Sequence, residues 1–334
     1  MKIWAPAADL PGPVIVSVIK IISVQEDMSV NIGTLLNALP GACAQGLIWG
    51  IMAIGVYITY RILDLADLTV DGTRCTGGAV CIMLMQSGHS VGFSLFCAFL
   101  AGMAAGLVTG VFHTGMGIPA ILAGILTQLG LYSVNLRIMM NKSNQAISVD
   151  KYSLLVSLRY VKNVAFYKNT IFVTAVFILL IIAALYWFFG TELGCAIRAT
   201  GSNPNMARAQ GINTNACKIL GLMLSNGLVA LASGLYAQYQ GFADVNMGRG
   251  AIVIGLAAVI IGQVLFGKLR GNFAFTLLTV VFGAIIYYLV LQVVLWMGLN
   301  SNDLKLLSAL VVAVFLAIPY MKGKYFSKSA KRGN

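Results

Sequence analysis

GTELGCAIRATGSNPNMARAQGINTNACK, residues 190–218, is a polar, glycine-punctuated interruption between two strongly apolar runs. Asn203 suits a helix N-cap, Pro204 the first helical position, and Gly211 a left-handed stop, with Met206 to Gln210 between them. The spacing predicts a short, capped helix held outside the membrane. A connector that only reversed the chain could be a few unstructured residues.

The runs on either side place the chain in a lipid bilayer. Of 334 residues, 59% are hydrophobic and 10% charged, and the mean hydropathy is +0.88; soluble domains carry roughly a quarter charged residues. Nearly uncharged stretches long enough to span run over Leu35–Tyr60, Val91–Phe112, Ile171–Phe189, Ile219–Tyr239, Phe273–Met297 and Leu304–Tyr320, and they lack the alternation of barrel strands. An all-α integral membrane protein with roughly eight or nine transmembrane helices is expected, the backbone being satisfied within each helix.

Two polar breaks divide these runs. LDLADLTVDGTRCTGG (63–78) separates the first span from a short apolar piece ending at Gln86, and GFADVNMGRG (241–250) separates Ile219–Tyr239 from the short piece Ala251–Phe266. Each set reads as long helix, Asp/Gly break, discontinuous short helix, then two helices. Five changes of direction, an odd number, separate the first helices of the two sets, so the sets form inverted-topology repeats. The expected organisation is an interfacial or partially spanning segment at 1–33, a first repeat at 34–137 and an extracytoplasmic loop at 138–169. A connecting span at 170–189, a cytoplasmic coupling loop at 190–217, a second repeat at 218–320 and a basic tail at 321–334 complete it. The apolar run Val14–Val24 makes a poor signal peptide, with Pro11 and Pro13 at its start and Lys20 within.

The net charge of +12 reads as a topology signal rather than a nucleic-acid footprint. Lys322, Lys324, Lys328, Lys331 and Arg332 put the C-terminus in the cytoplasm, and counting back puts 190–218 there too. The 138–168 loop then lies outside despite its five basic residues, which longer loops tolerate. The six cysteines are scattered, without Cys-x-x-Cys spacing, and read as free, small hydrophobes.

No catalytic or metal site is expected. With His89 and His113 the only histidines there is no metal or triad set, and Gly262–Leu269 imitates a phosphate loop but ends in Leu where Ser or Thr is needed. Gly102, Gly106 and Gly110 mark close helix packing. Asp64, Asp67 and Asp71 fall at a spacing that shares one helical face. Asp64 reads as part of a solvated turn. Asp67, Thr69, Asp71 and Gly72 in the first break, and Asp244 and Asn246 in the second, are candidates to line a pathway or to cap the broken helices.

Residues 37–80 and 190–250 resemble the permease subunits of ATP-binding-cassette importers of the branched-chain amino acid and ribose type, the likeness extending over about 34–320. Gly194, Arg198-Ala199, Gly201-Ser-Asn203, Ala207-Arg208 and Gly211-Ile212-Asn213 carry the family pattern. Leucine-type permeases have an Asn-Phe-Ala-His-Gly-like break where this chain has Leu68-Thr-Val-Asp71-Gly72. That departure points to the group attributed to tryptophan, tyrosine or related small solutes. The resemblance implies that Asn203 to Asn213 form the coupling helix, Arg198, Asn203, Pro204, Met206, Ala207, Arg208, Gly211, Ile212 and Asn213 contributing. The implied partners are a second permease copy or paralogue, cytoplasmic ATPase subunits that carry ATP-Mg, and an extracytoplasmic substrate-binding protein. No cofactor is expected on this chain and no nucleic acid among its partners. An ion-coupled secondary transporter and a channel or scaffold are the alternatives, neither of which requires a docking helix.

Overall fold

The computed structural model describes residues 32–148, 151–152, 154–161, 169–267, 272–297 and 304–321. All but the inner edges of the expected N-terminal segment and basic tail lies outside the described residues, as do the last two residues, Lys268 and Leu269, of the phosphate-loop-like run. Helix α1 (Ile32–Tyr57) ends in a π-helical turn, Ile58–Ile62. Then come α2 (Thr69–Gln86), α3 (Val91–Thr114), α4 (Ala120–Ile138), α5 (Thr170–Gly190), α6 (Glu192–Ser202) and α7 (Pro204–Ala209). The chain continues through α8 (Thr214–Gln240), α9 (Ala251–Phe266), α10 (Phe273–Trp296) and α11 (Leu304–Met321). Six helices among the described residues are long and apolar enough to cross a membrane.

Helices α1 and α8 form the axis of the molecule. Their apolar windows are 83% and 72% buried, against 22% for α4 and α5, which present their apolar sides outward as lipid-facing helices do. The Tyr239 hydroxyl donates to the Gly41 carbonyl (3.2 Å) and the Ser225 hydroxyl to the Gly55 carbonyl (2.7 Å), so numbers rise along one helix as they fall along the other. The two long helices are therefore antiparallel.

The remaining helices repeat that inversion. Helix α3 packs along α8 and α10 along α1, while α2 lies on α8, α3 and α4 as α9 lies on α1, α10 and α11. The third helix of each unit thus buries its face against the first helix of the other. Gly102, Gly106 and Gly110 meet Asn226, Leu222 and Ile219 of α8 so closely that a side chain would strike backbone or Ile219, which is the close packing expected of their spacing. Strands β1 (Asn144–Ala146) and β2 (Phe242–Asp244) pair antiparallel, with Asn144 opposite Asp244. They tie the segment after α4 to the far end of α8.

The first break is shorter than the sequence suggested. Helix α2 runs uninterrupted from Thr69, so the polar residues of 69–78 are helical and only 63–68 depart from it. Thr76 returns its hydroxyl to the Gly72 carbonyl (3.1 Å), and Gly77 lies directly on Ala230 of α8 with no room for a Cβ. Tertiary packing overrides the poor helix propensity of Thr and Gly. Asp64, Asp67 and Asp71 do not share a helical face: Asp64 has a left-handed backbone (φ 54°), Asp67 precedes the helix, and only Asp71 lies within it.

Candidate functional site

The site is built around the N-termini of α2 and α9, which meet about half-way along α8. A helix N-terminus leaves unpaired N–H groups, and in a membrane interior no water is available to take them. Each terminus solves this with an aspartate, but in different ways.

At α2 the cap is local. The Thr69 N–H donates to Oδ1 of Asp67 (2.9 Å), and Asn226 of α8 donates its amide to Oδ2 (2.7 Å). Thr73 donates its hydroxyl to the Asn226 side-chain oxygen Oδ1 (2.8 Å), and Thr69, Thr109 and Thr127 form a hydroxyl chain (2.8 and 2.9 Å). Asp67, Thr69, Thr73, Thr109, Thr127 and Asn226 are all buried. Asp67 and Thr69 are thus linked to a joint between α2, α3, α4 and α8.

At α9 the cap comes from the other unit. Gly250 precedes the helix in a left-handed conformation (φ 81°) and offers no side chain, while the Gly250 and Ile252 N–H groups donate to the Asp71 carboxylate (2.9 and 3.0 Å). The next residue, Gly72, packs on Gln128 of α4. Asp71 and Gly72 also border a small cavity of about 290 Å³ beside α4.

A larger cavity of about 630 Å³ has walls from α1, α2, α8, α9, α10 and α11, and its rim is the turn after β2. Asp244 and Asn246 line it, and the Asn246 N–H donates to the Asp244 carboxylate (2.6 Å). The dominant side chain is Arg74, 3% exposed, its guanidinium 3.6 Å from the centre of the Trp49 ring and 4.6 Å from that of Tyr236. Such stacking suits the planar, weakly hydrated guanidinium. Tyr236 is held in turn by the Gln240 amide (2.7 Å), and Trp49 packs against Tyr288 (5.5 Å between centroids).

The second candidate feature is the loop formed by α6 and α7. Thr191 caps α6 through the Gly194 N–H (3.4 Å). Asn203 accepts from the Asn205 and Met206 N–H groups (3.1 and 3.0 Å), Pro204 opens α7, and Gly211 is left-handed (φ 79°). The local capping expected from the sequence is present throughout. Asn213 then caps α8 through the Ala216 N–H (3.1 Å), so each of the three helices begins on its own side-chain cap. Gly201 sits on the Ile62 carbonyl at the end of α1, joining the loop to the core.

The loop residues divide by exposure. Met206 is 53% exposed, whereas Ala207 is fully buried and faces its own protein; an apolar contact surface for a partner therefore includes Met206 and excludes Ala207. Arg208 donates from Nε to the Thr214 hydroxyl (2.9 Å), and the Arg198 guanidinium lies 5.6 Å from the Phe273 ring centre, both on an exposed surface. Ile212 is half-buried and closes α7 with its N–H on the Ala207 carbonyl (3.0 Å).

Of the pathway candidates, the structure brings Asp244 and Asn246 into the large cavity, sets Asp67 and Thr69 in the sealed joint, and places Asp71 and Gly72 between the two. Sequence reasoning missed Trp49, Arg74 and Tyr236. The available signal is Arg74 itself, a cation within a short helix that leads into an apolar run.

Residues 40–319 match the model of the branched-chain amino acid transport system / permease component family. The chain belongs to this family. It is 40% identical to a tyrosine transport system permease protein of Clostridioides difficile over 282 residues, 84% of this chain and 91% of that one. It is 28% identical to the autoinducer 2 import system permease protein LsrC of Yersinia pestis, over 68% of this chain and 64% of that one. Among solved structures, PsaBC from Streptococcus pneumoniae in complex with Fab aligns with a TM-score of 0.52 at 16% identity, covering 90% of this chain and all of that one. That last likeness concerns the fold.

Proposed function

We propose that the chain is the permease subunit of an ATP-binding-cassette importer in a bacterial inner membrane, passing an amino acid or related small solute to the cytoplasm. It works beside a second permease copy or paralogue, cytoplasmic ATPase subunits that bind ATP-Mg, and an extracytoplasmic substrate-binding protein. The observation that carries this reading is the α6–α7 loop: a capped, exposed element anchored to the end of α1 has the build of a force-bearing contact. The relative described as a tyrosine permease supports an aromatic amino acid as the solute.

In this reading the loop and the C-terminus face the cytoplasm, and β1 and β2 face the binding protein. ATP-driven closure of the ATPase pair pushes the α7 helices together and rocks the inverted units against each other between inward- and outward-open states. Co-purification with the neighbouring ATPase and binding protein, followed by uptake in proteoliposomes, tests it. The double variant Met206→Ala/Arg208→Ala is expected to keep the folded permease and lose both ATPase stimulation and uptake. Uptake that proceeds without ATP, or normal coupling in that variant, would show the motor or its docking site to be misassigned.

A further inference from the structure

A buried cation in a membrane protein costs free energy unless an anion or several acceptors face it. Among the described residues no hydrogen bond or ion pair reaches the guanidinium of Arg74, which stacks on two rings. Asp71, one turn earlier, attracts it, but that carboxylate is already bound by the Gly250 and Ile252 amides. Asp244 in the cavity accepts from the Asn246 N–H. The indole N–H of Trp49 is also buried without a partner, on the wall of the same cavity. Donors thus converge on a space of about 630 Å³ whose walls are largely aromatic and aliphatic.

We infer that this cavity is a solute site inside a single protomer, which takes an aromatic amino acid with its carboxylate on Arg74 and its ring among Trp49, Tyr236 and Tyr287. The inference rests on the permease reading and adds the atoms that recognise the solute. A planar guanidinium meets a carboxylate through two parallel hydrogen bonds, and stacking on Trp49 and Tyr236 holds the fork in place before the solute arrives. Asp244 and Asn246 at the rim present acceptors to an α-ammonium group. Because the cavity is walled by both inverted units, rocking one against the other changes its shape, so its affinity differs between the two states.

The test uses the full chain in lipid nanodiscs, without ATPase or binding protein, with radiolabelled L-tyrosine as probe and tyramine, which lacks the carboxylate, as competitor. Saturable L-tyrosine binding is expected, with tyramine weaker by about tenfold or more, the size of a lost charged hydrogen bond. Arg74→Gln should weaken L-tyrosine by a similar factor and erase the preference over tyramine. Val253→Trp fills the cavity from a half-exposed position on α9, and should lose binding while eluting as the wild type does. Absence of saturable binding, equal binding of tyramine by the wild type, or wild-type affinity in Val253→Trp would overturn the site. Uptake by the assembled complex separates the two readings: ATP-driven uptake without binding to the permease removes this site alone, and binding without ATP-driven uptake removes the importer alone.

Discussion

The two helix breaks occupy equivalent positions in the inverted units, yet one is sealed and the other is open. At the first, Asp67 caps its own helix and is locked to Asn226 among buried hydroxyls. At the second, the chain passes through two left-handed glycines, Gly241 and Gly250, and α9 receives its cap from Asp71 across the molecule. Equivalent topology does not require equivalent chemistry. The sealed break serves as a joint, while the open one borders the cavity and depends on the other unit for its helix cap.

The largest effect should come from the sealed joint. Asp67→Ala leaves the Thr69 N–H and one of the two Asn226 amide N–H groups buried without an acceptor, the other staying on the Leu222 carbonyl, and should cost about 3 kcal/mol, read as a lower unfolding temperature in detergent. Asn226→Ala should cost a similar amount, and the double variant should cost less than the sum because both remove one hydrogen bond. Additive losses would show that the two residues act separately and that the joint is not a unit.

An intermediate effect is expected at the cap that spans the units. Asp71→Ala removes the acceptor for the Gly250 and Ile252 amides at the start of α9, at a cost of about 1–2 kcal/mol. Hydrogen exchange should rise at Gly250 and Ile252 and stay unchanged at Thr69. Equal deprotection at both helix starts would erase the distinction drawn between the two breaks. The smallest effect should follow Asp244→Ala, which removes one turn-forming bond to Asn246 at the cavity rim and should cost less than about 1 kcal/mol. A loss as large as that of Asp67→Ala would mean that the open break is as locked as the sealed one.

Much of this architecture was legible before any coordinates. Span lengths, the repeat of long helix, break and short helix, and the Asn203-Pro204 to Gly211 cap pattern are local signals, and each appears in the structure. The difference at 63–78 has a specific cause: Thr, Gly and Asp have low helix propensity in isolation, whereas Gly77 against Ala230 and Thr73 on Asn226 stabilise the same residues as helix. The three- and four-residue spacing of Asp64, Asp67 and Asp71 suggests one face because periodicity presumes a continuous helix, and the left-handed backbone at Asp64 interrupts it.

What the sequence determined by itself is what depends on composition and near neighbours: membrane insertion, inverted repeats, caps and the family pattern. Only the tertiary structure decided which polar residues meet. Trp49, Arg74 and Tyr236 come from three separate helices, and Asp71 and Gly250 from different units, far apart along the chain. Their energies depend on distance and burial, which the crossing of α1, α2 and α8 sets and no local pattern encodes.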